Sequence, residues 1–218
     1  MLKLLALATL FSAIGAQART VEVSGYDISG VWPVGTGGYS YVYDGSVTMR
    51  PQGFYLYSGG GGSLNDGVVP TSNVGAMMIG TVSPKDKSIT LHLSGQSVLS
   101  EINMFSESNT SGVYAGALTG ATITINGVSV ALTSSAWGSG CARYLCNDTF
   151  SLAGTALAGM TTDTVVLTKF RAAAGYFTMA EINVNGAIPA VPEPQTYAMM
   201  IAGIGLLGFI ARRRKKAM

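Results

Sequence analysis

The sequence predicts an all-β body, an antiparallel β-sandwich with a jelly roll as one variant, set between two apolar chain ends. Three observations carry this expectation. Apolar and polar residues alternate with period two in run after run between Val21 and Val184. β-Branched and aromatic residues, which fit a pleated half-buried surface, fill those runs. Turn signals separate them at short intervals, as in sandwiches and barrels, and no stretch of the body keeps a long helical period.

In chain order the expected strands begin with Val21-Glu22-Val23 and a run from Tyr39 to Met49, in which Tyr39, Tyr41 and Tyr43 alternate with Ser40 and Val42. Phe54-Tyr55-Leu56-Tyr57 is short and aromatic, and Ser88 to Leu93 places Ile89, Leu91 and Leu93 on one face with Thr90 and His92 on the other. Ala121 to Leu132 reads as a hairpin, because Asn126-Gly127 parts two apolar alternations and this dipeptide suits a tight two-residue turn. Val165 to Phe170 and Tyr176 to Val184 complete the set. Asp44-Gly45, Gly59 to Gly62, Asn65-Asp66-Gly67, Ser83-Pro84-Lys85-Asp86 and Asn185-Gly186 read as the other turns. No repeat of fixed period is present, which counts against a solenoid.

The N-terminus places Lys3 before a mostly apolar run from Leu4 to Ile14 and ends in Ala16-Gln17-Ala18. A positive charge, a short apolar core and an A-x-A site describe a secretory signal peptide over residues 1–18, cut between Ala18 and Arg19. The body then runs over residues 19–186, followed by a Pro-containing linker at 187–195. Sixteen uncharged residues, Thr196 to Ala211, precede the basic run Arg212, Arg213, Arg214, Lys215 and Lys216. As a helix these span about 24 Å, slightly less than the roughly 30 Å of a bilayer core. Snorkelling of the long cations accommodates the difference. Each cation resists passage by about 2.5–3.5 kcal/mol. The expectation is a transmembrane helix at 196–211, a basic cytoplasmic tail at 212–218 acting as a stop-transfer signal, and a body outside the cytoplasm.

Pro192-Glu193-Pro194, the apolar segment and the terminal cation cluster occur in the order of the PEP-CTERM sorting signal of Gram-negative bacteria, which this tail resembles. The same kind of tail is also catalogued as an ice-binding protein C-terminal domain, a label that says nothing about the body. The resemblance implies an exosortase as partner, with Pro192, Glu193 and Pro194 as its recognition motif. It also implies anchoring in the inner membrane with the body in the periplasm before processing, then release to the cell surface or beyond. An association with exopolysaccharide or biofilm is part of the same implication.

Charge and chemistry narrow the body further. From Arg19 to Glu193 seven basic residues face 11 acidic ones, so the body is weakly acidic and its cations are scattered. That is a poor electrostatic footprint for nucleic acid. Cys141 and Cys146 enclose four residues, and in an oxidising periplasm they read as a structural disulfide rather than a redox pair or half a metal site. His92 is the one histidine. A catalytic triad would therefore have to use it, and no nucleophile elbow is present. The glycine runs at 35–38 and 59–62 do not continue as Gly-Lys-Ser/Thr, so a phosphate-binding loop is unsupported.

Asn65-Asp66-Gly67 and Asn147-Asp148 carry oxygen donors of the kind calcium takes, without an EF-hand spacing; turn chemistry is the default. No metal or cofactor is expected. Asp44, Asp66, Glu101, Glu107, Asp148, Asp163 and Glu181 form the pool from which a glycosidase pair would come. Tyr39, Tyr41 and Tyr43 offer a stacking face for sugar, if that face is exposed. The leading expectation is a non-catalytic surface or matrix protein; a carbohydrate-binding module is the alternative, and a surface glycosidase stands third.

Overall fold

The computed structural model describes residues 19–31, 40–50, 55–69, 78–81, 87–107, 117–134, 145–172, 176–187, 199–207 and 212. Among these, twelve strands form: β1 (Arg19–Val21), β2 (Val23–Val31), β3 (Ser46–Met49), β4 (Tyr55–Gly60), β5 (Met78–Thr81), β6 (Ser88–Glu107), β7 (Leu118–Ile125), β8 (Val128–Thr133), β9 (Leu145–Ser151), β10 (Thr161–Ala172), β11 (Tyr176–Met179) and β12 (Glu181–Ala187). Every pairing among them is antiparallel. The body is a mostly antiparallel β-sandwich, as its alternation predicts.

The architecture turns on β6, which is 20 residues long. Its first half lies between β2 and β10, and its second between β12 and β9. The partner register on β10 jumps from Thr162↔Ser97 to Thr164↔His92 at the change-over. A strand that bends in this way can serve two layers of a sandwich. One layer runs β3-β4-β2-β6-β10-β7-β8, and the other is built from β1, β12, β6 and β9. A separate ribbon of β11 and β5 packs against β6 and β2.

One apolar cluster joins the two layers. Tyr26, Ile28, Tyr57, Ile89, Leu91, Ile123, Val165 and Leu167 come from the first, and Ile102, Met104, Phe150, Ile182 and Val184 from the second. Full burial of a large apolar side chain contributes about 1.5–3 kcal/mol, so alternate residues on each strand supply the driving force. The Asn126-Gly127 hairpin forms as expected. Ile125 pairs with Val128, and φ is 49° at Asn126 and 81° at Gly127, which suits the positive-φ turn that matches strand twist.

Three local expectations need correction. The run from Tyr39 to Met49 is not one strand: Tyr43 makes an isolated bridge to Gly62, and the regular strand begins at Ser46. Asn185-Gly186 is not a turn but lies inside β12, at a register shift against β6. A Cβ on Gly186 would stand 2.4 Å from the Val98 carbonyl oxygen, so glycine serves close strand approach there. Val21-Glu22-Val23 is divided at Glu22 between β1 and β2.

The chain separates after Ile188 into two compact units. In the second, residues 199–207 are helical and exposed, as is Arg212. Among the described residues no helix is long and apolar enough to cross a membrane. The other residues of the expected span, the signal peptide, the Pro192-Glu193-Pro194 motif and Arg213 to Lys216 lie outside the described residues.

Candidate functional site

The tyrosines proposed as a sugar platform face inward where they are described. Tyr41 is 5% exposed. Its hydroxyl donates to the Tyr26 hydroxyl at 2.9 Å, and its ring meets Tyr57 edge-on at a centroid distance of 5.4 Å. Tyr43 is half-buried beside Tyr26 and Tyr57. Its hydroxyl donates to the Tyr26 carbonyl at 2.8 Å and accepts from the Gly60 N–H at 2.9 Å. Neither ring is free to stack on a ligand, and the expected platform is corrected to a core aromatic cluster. Period two places Tyr41 and Tyr43 on a common side without saying whether that side points in or out. Tyr39 lies outside the described residues.

Above this cluster the chain builds a polar cleft. A water-accessible volume of about 450 Å³ is lined by Ser24 and Gly25 of β2, His92 of β6, Asp44 and the glycines at 59–61. Gly60 is required for packing: a Cβ there would stand 2.3 Å from the Gly45 nitrogen. The Asp44 N–H donates to the Gly61 carbonyl at 3.1 Å, and the Gly61 N–H donates to Asp44 Oδ1 at 2.6 Å. The glycine run therefore lets two backbone segments meet and leaves one wall of the cleft without side chains.

His92 Nε2 stands 2.9 Å from Asp27 Oδ2, and both side chains are partly exposed. The Gly59 N–H donates to Asp27 Oδ1 at 2.8 Å. Burial alone would raise the Asp27 carboxyl. The His92 hydrogen bond, the Gly59 N–H and the His92 charge outweigh it and hold Asp27 below its ordinary range. Asp27 was not legible as a site residue. Gly25, not Asp27, is opposite His92 in the β2–β6 register, so only the folded side chains reveal the pair.

The remaining carboxylates separate. Asp148 is buried and accepts from the Ser134 hydroxyl at 3.0 Å and from the Ser106 hydroxyl. Glu101 accepts from Asn103 and Asn185, and Asp163 from Gln96. The side chain of Glu107 lies outside the described residues. Of the pool's described side chains, Asp66 and Glu181 are brought together, by a turn that docks on the start of β12. Among the described residues no three His, Cys, Asp or Glu gather as metal ligands. Cys146 is disulfide-bonded and fully buried; Cys141, its expected partner, lies outside the described residues.

Residues 190–215 match the family model of the PEP-CTERM protein-sorting motif. No curated protein matches the chain. Among solved structures the chain is similar to the family 32 carbohydrate-binding module of C. perfringens NanJ in complex with galactose. Identity is 15% and the TM-score 0.42, over 78% of this chain and 99% of that one. It is also similar to a family 32 module of Clostridium perfringens in complex with GalNAc-beta-1,3-galactose, at 16% identity and a TM-score of 0.42 over 76% and 99% of the two chains. A fucolectin from striped bass serum follows at 12% identity and a TM-score of 0.30, over 79% and 78%. Likenesses with TM-scores below 0.5 do not establish a shared fold. The tail carries a sorting motif that indicates export and fits an exosortase substrate, while the body has no family assignment.

Proposed function

We propose that the protein is a non-catalytic surface or extracellular-matrix component of a Gram-negative bacterium. In this reading it is exported by its signal peptide, held in the inner membrane by its tail and released when an exosortase removes that tail. The observation that carries it is the sorting-motif match at residues 190–215. Pro192, Glu193 and Pro194 stand at the start of that match and the cations Arg212 to Lys215 at its end. The cations resist translocation, so the body remains tethered until the peptide is cut. Mass spectrometry of the protein from cells with and without the sorting enzyme tests this. The expected mature form begins at Arg19 and lacks Arg212 to Lys216 only where the enzyme is present. Pro192→Ala combined with Glu193→Gln is expected to leave the tail on, giving the mass of a chain that runs from Arg19 to Met218. An unchanged tail in enzyme-containing cells reduces the segment to a plain anchor.

The cleft favours a second reading, binding of exopolysaccharide by the body. Its walls offer His92, held from behind by its contact with Asp27, the Asp44 carboxylate, Ser24 and a strip of bare backbone in an open volume of about 450 Å³. Groups of this kind satisfy sugar hydroxyls, and the glycine wall admits a pyranose ring close to the chain. On a glycan array the expected result is retention of a polysaccharide by the wild type and loss of at least about tenfold in His92→Ala, which is about 1.4 kcal/mol. Equal retention by the two proteins would move any binding elsewhere.

A further inference from the structure

The cleft of about 450 Å³ has its hydrogen-bond donors already committed within the protein. The three amides of its glycine wall go to three acceptors. Gly59 N–H donates to Asp27 Oδ1 at 2.8 Å, Gly60 N–H to the Tyr43 hydroxyl at 2.9 Å and Gly61 N–H to Asp44 Oδ1 at 2.6 Å. The Asp44 N–H donates to the Gly61 carbonyl at 3.1 Å. The Ser24 hydroxyl donates to the His92 carbonyl at 3.0 Å. A hydroxyl has one hydrogen to give, so Ser24 Oγ is left as an acceptor.

His92 extends the pattern. Its Nε2 stands 2.9 Å from Asp27 Oδ2. Burial would raise the Asp27 carboxyl, but the hydrogen bonds from His92 and Gly59 hold it below its ordinary range. At neutral pH it is a carboxylate with no hydrogen to donate. The shared hydrogen therefore sits on Nε2, and in the neutral ring Nδ1 keeps a lone pair and no hydrogen. Asp44 is exposed, and among the described residues its carboxylate accepts one hydrogen bond, from Gly61, of the roughly four such a group can take. The lining holds no lysine or arginine. Beneath it the Tyr43 phenol is pushed up by burial first, and also by the charges of Asp27 and Asp44, against the lowering effect of the Gly60 N–H. Both carboxylates thus act on one small volume.

A ligand of this cleft has to bring the hydrogens. Sugar hydroxyls do so; an ammonium brings three, with a positive charge that the carboxylates favour. An anionic substituent, such as a uronate or a sulfate, brings acceptors and meets like charge. A bare metal ion finds one carboxylate in the lining, and among the described residues no three metal-ligating side chains gather. We infer that the cleft takes a glycan with free amino groups, the ammonium on Asp44 and neighbouring hydroxyls on His92 and Ser24. This rests on the glycan-binding reading above and names the class of glycan.

The test is a set of binding isotherms with the full-length protein in detergent, at about pH 7 and about 0.1 M salt. A sugar amine with the basicity of an α-amino group, about 7.7–8.0, is mostly an ammonium there. The probes are hexamers of glucosamine, N-acetylglucosamine and galacturonic acid, with hexalysine as a cation that is not a sugar. The glucosamine hexamer is expected to bind at least about tenfold more tightly than the N-acetylated one, and the galacturonic acid hexamer more weakly than both. Asp44→Asn is expected to lose at least about tenfold for the glucosamine hexamer and little for the N-acetylated one. Glu101→Gln, which removes a charge from the second half of β6, is expected to change neither. Equal losses in these two variants would mean attraction to bulk charge and overturn the site. Hexalysine bound as tightly as the glucosamine hexamer would overturn the sugar class. If the N-acetylated or acidic hexamer binds at least as well, and His92→Ala abolishes it, the amine is overturned while the glycan reading stands. No hexamer bound by the wild type would overturn both. The comparison of hexamers on the wild type decides the matter if Asp44→Asn does not fold.

Discussion

Asp148 shows how one inward-facing polar residue couples the body to pH. It lies on β9 between buried Cys146 and Phe150, in a row that otherwise fills the core. The Ser106 and Ser134 hydroxyls donate to its two oxygens, and the Leu118 N–H donates to Ser106 Oγ at 3.0 Å, so the group is satisfied but dry. Burial pushes its carboxyl up to about 6, against the lowering effect of those hydrogen bonds. The native state therefore holds the proton more tightly than the unfolded chain, whose carboxyl titrates near 3.9. Stability is highest below about pH 4 as far as this group is concerned, falls as pH rises to about 6, and is flat above. The full effect is on the order of 3 kcal/mol. Asp148→Asn is expected to flatten the decline between pH 4 and 6. Glu181 adds a decline of the same sign up to about pH 7 in both proteins. Urea unfolding at pH 4, 5 and 6.5 checks this; the same slope in wild type and variant would count against it.

At the scale of elements, legibility followed how directly a local pattern fixes a backbone. Asn126-Gly127 was readable because two residues with positive φ between paired strands leave few alternatives. Asn185-Gly186 is the same dipeptide in another role: strand approach at Gly186, not reversal, demands the glycine. Strand β9 escaped notice because Asp148 interrupts its inward row, although Cys146, Asp148 and Phe150 do alternate with outward Asn147, Thr149 and Ser151. The reach of β6 was underestimated because Ser94-Gly95-Gln96-Ser97 reads as a break, whereas the strand passes through it while changing layers. Tyr41 and Tyr43 carried the right periodicity and the wrong side. The His92–Asp27 and Asp66–Glu181 pairs join residues 65 and 115 positions apart, and no local period reports such contacts. The sorting tail, whose signal is wholly sequential, was legible outright.

At the scale of the molecule, the body begins and ends on neighbouring strands. Arg19 pairs with Gly186, Thr20 with Asn185 and Val21 with Val184, so the chain enters and leaves at the same end of the β1–β12 ladder. Val21 is buried in the common core, which makes β1 a structural part of the body although it is only three residues long. β1 also covers one side of β12, whose other side pairs with β6, and so closes an edge that would otherwise invite association. The expected cut between Ala18 and Arg19 falls at the first paired residue. The sequence before Arg19 and the sequence after Ala187 are thus attached at one end of the ladder. Replacing Ala16 and Ala18 by bulky residues, which blocks signal cleavage, is therefore expected to leave the body folded. Its core should resist protease in spheroplasts as well as that of the cleaved form does. Cleavage within residues 19–31 in the uncut form alone would show that β1 pairs only once its N-terminus is released.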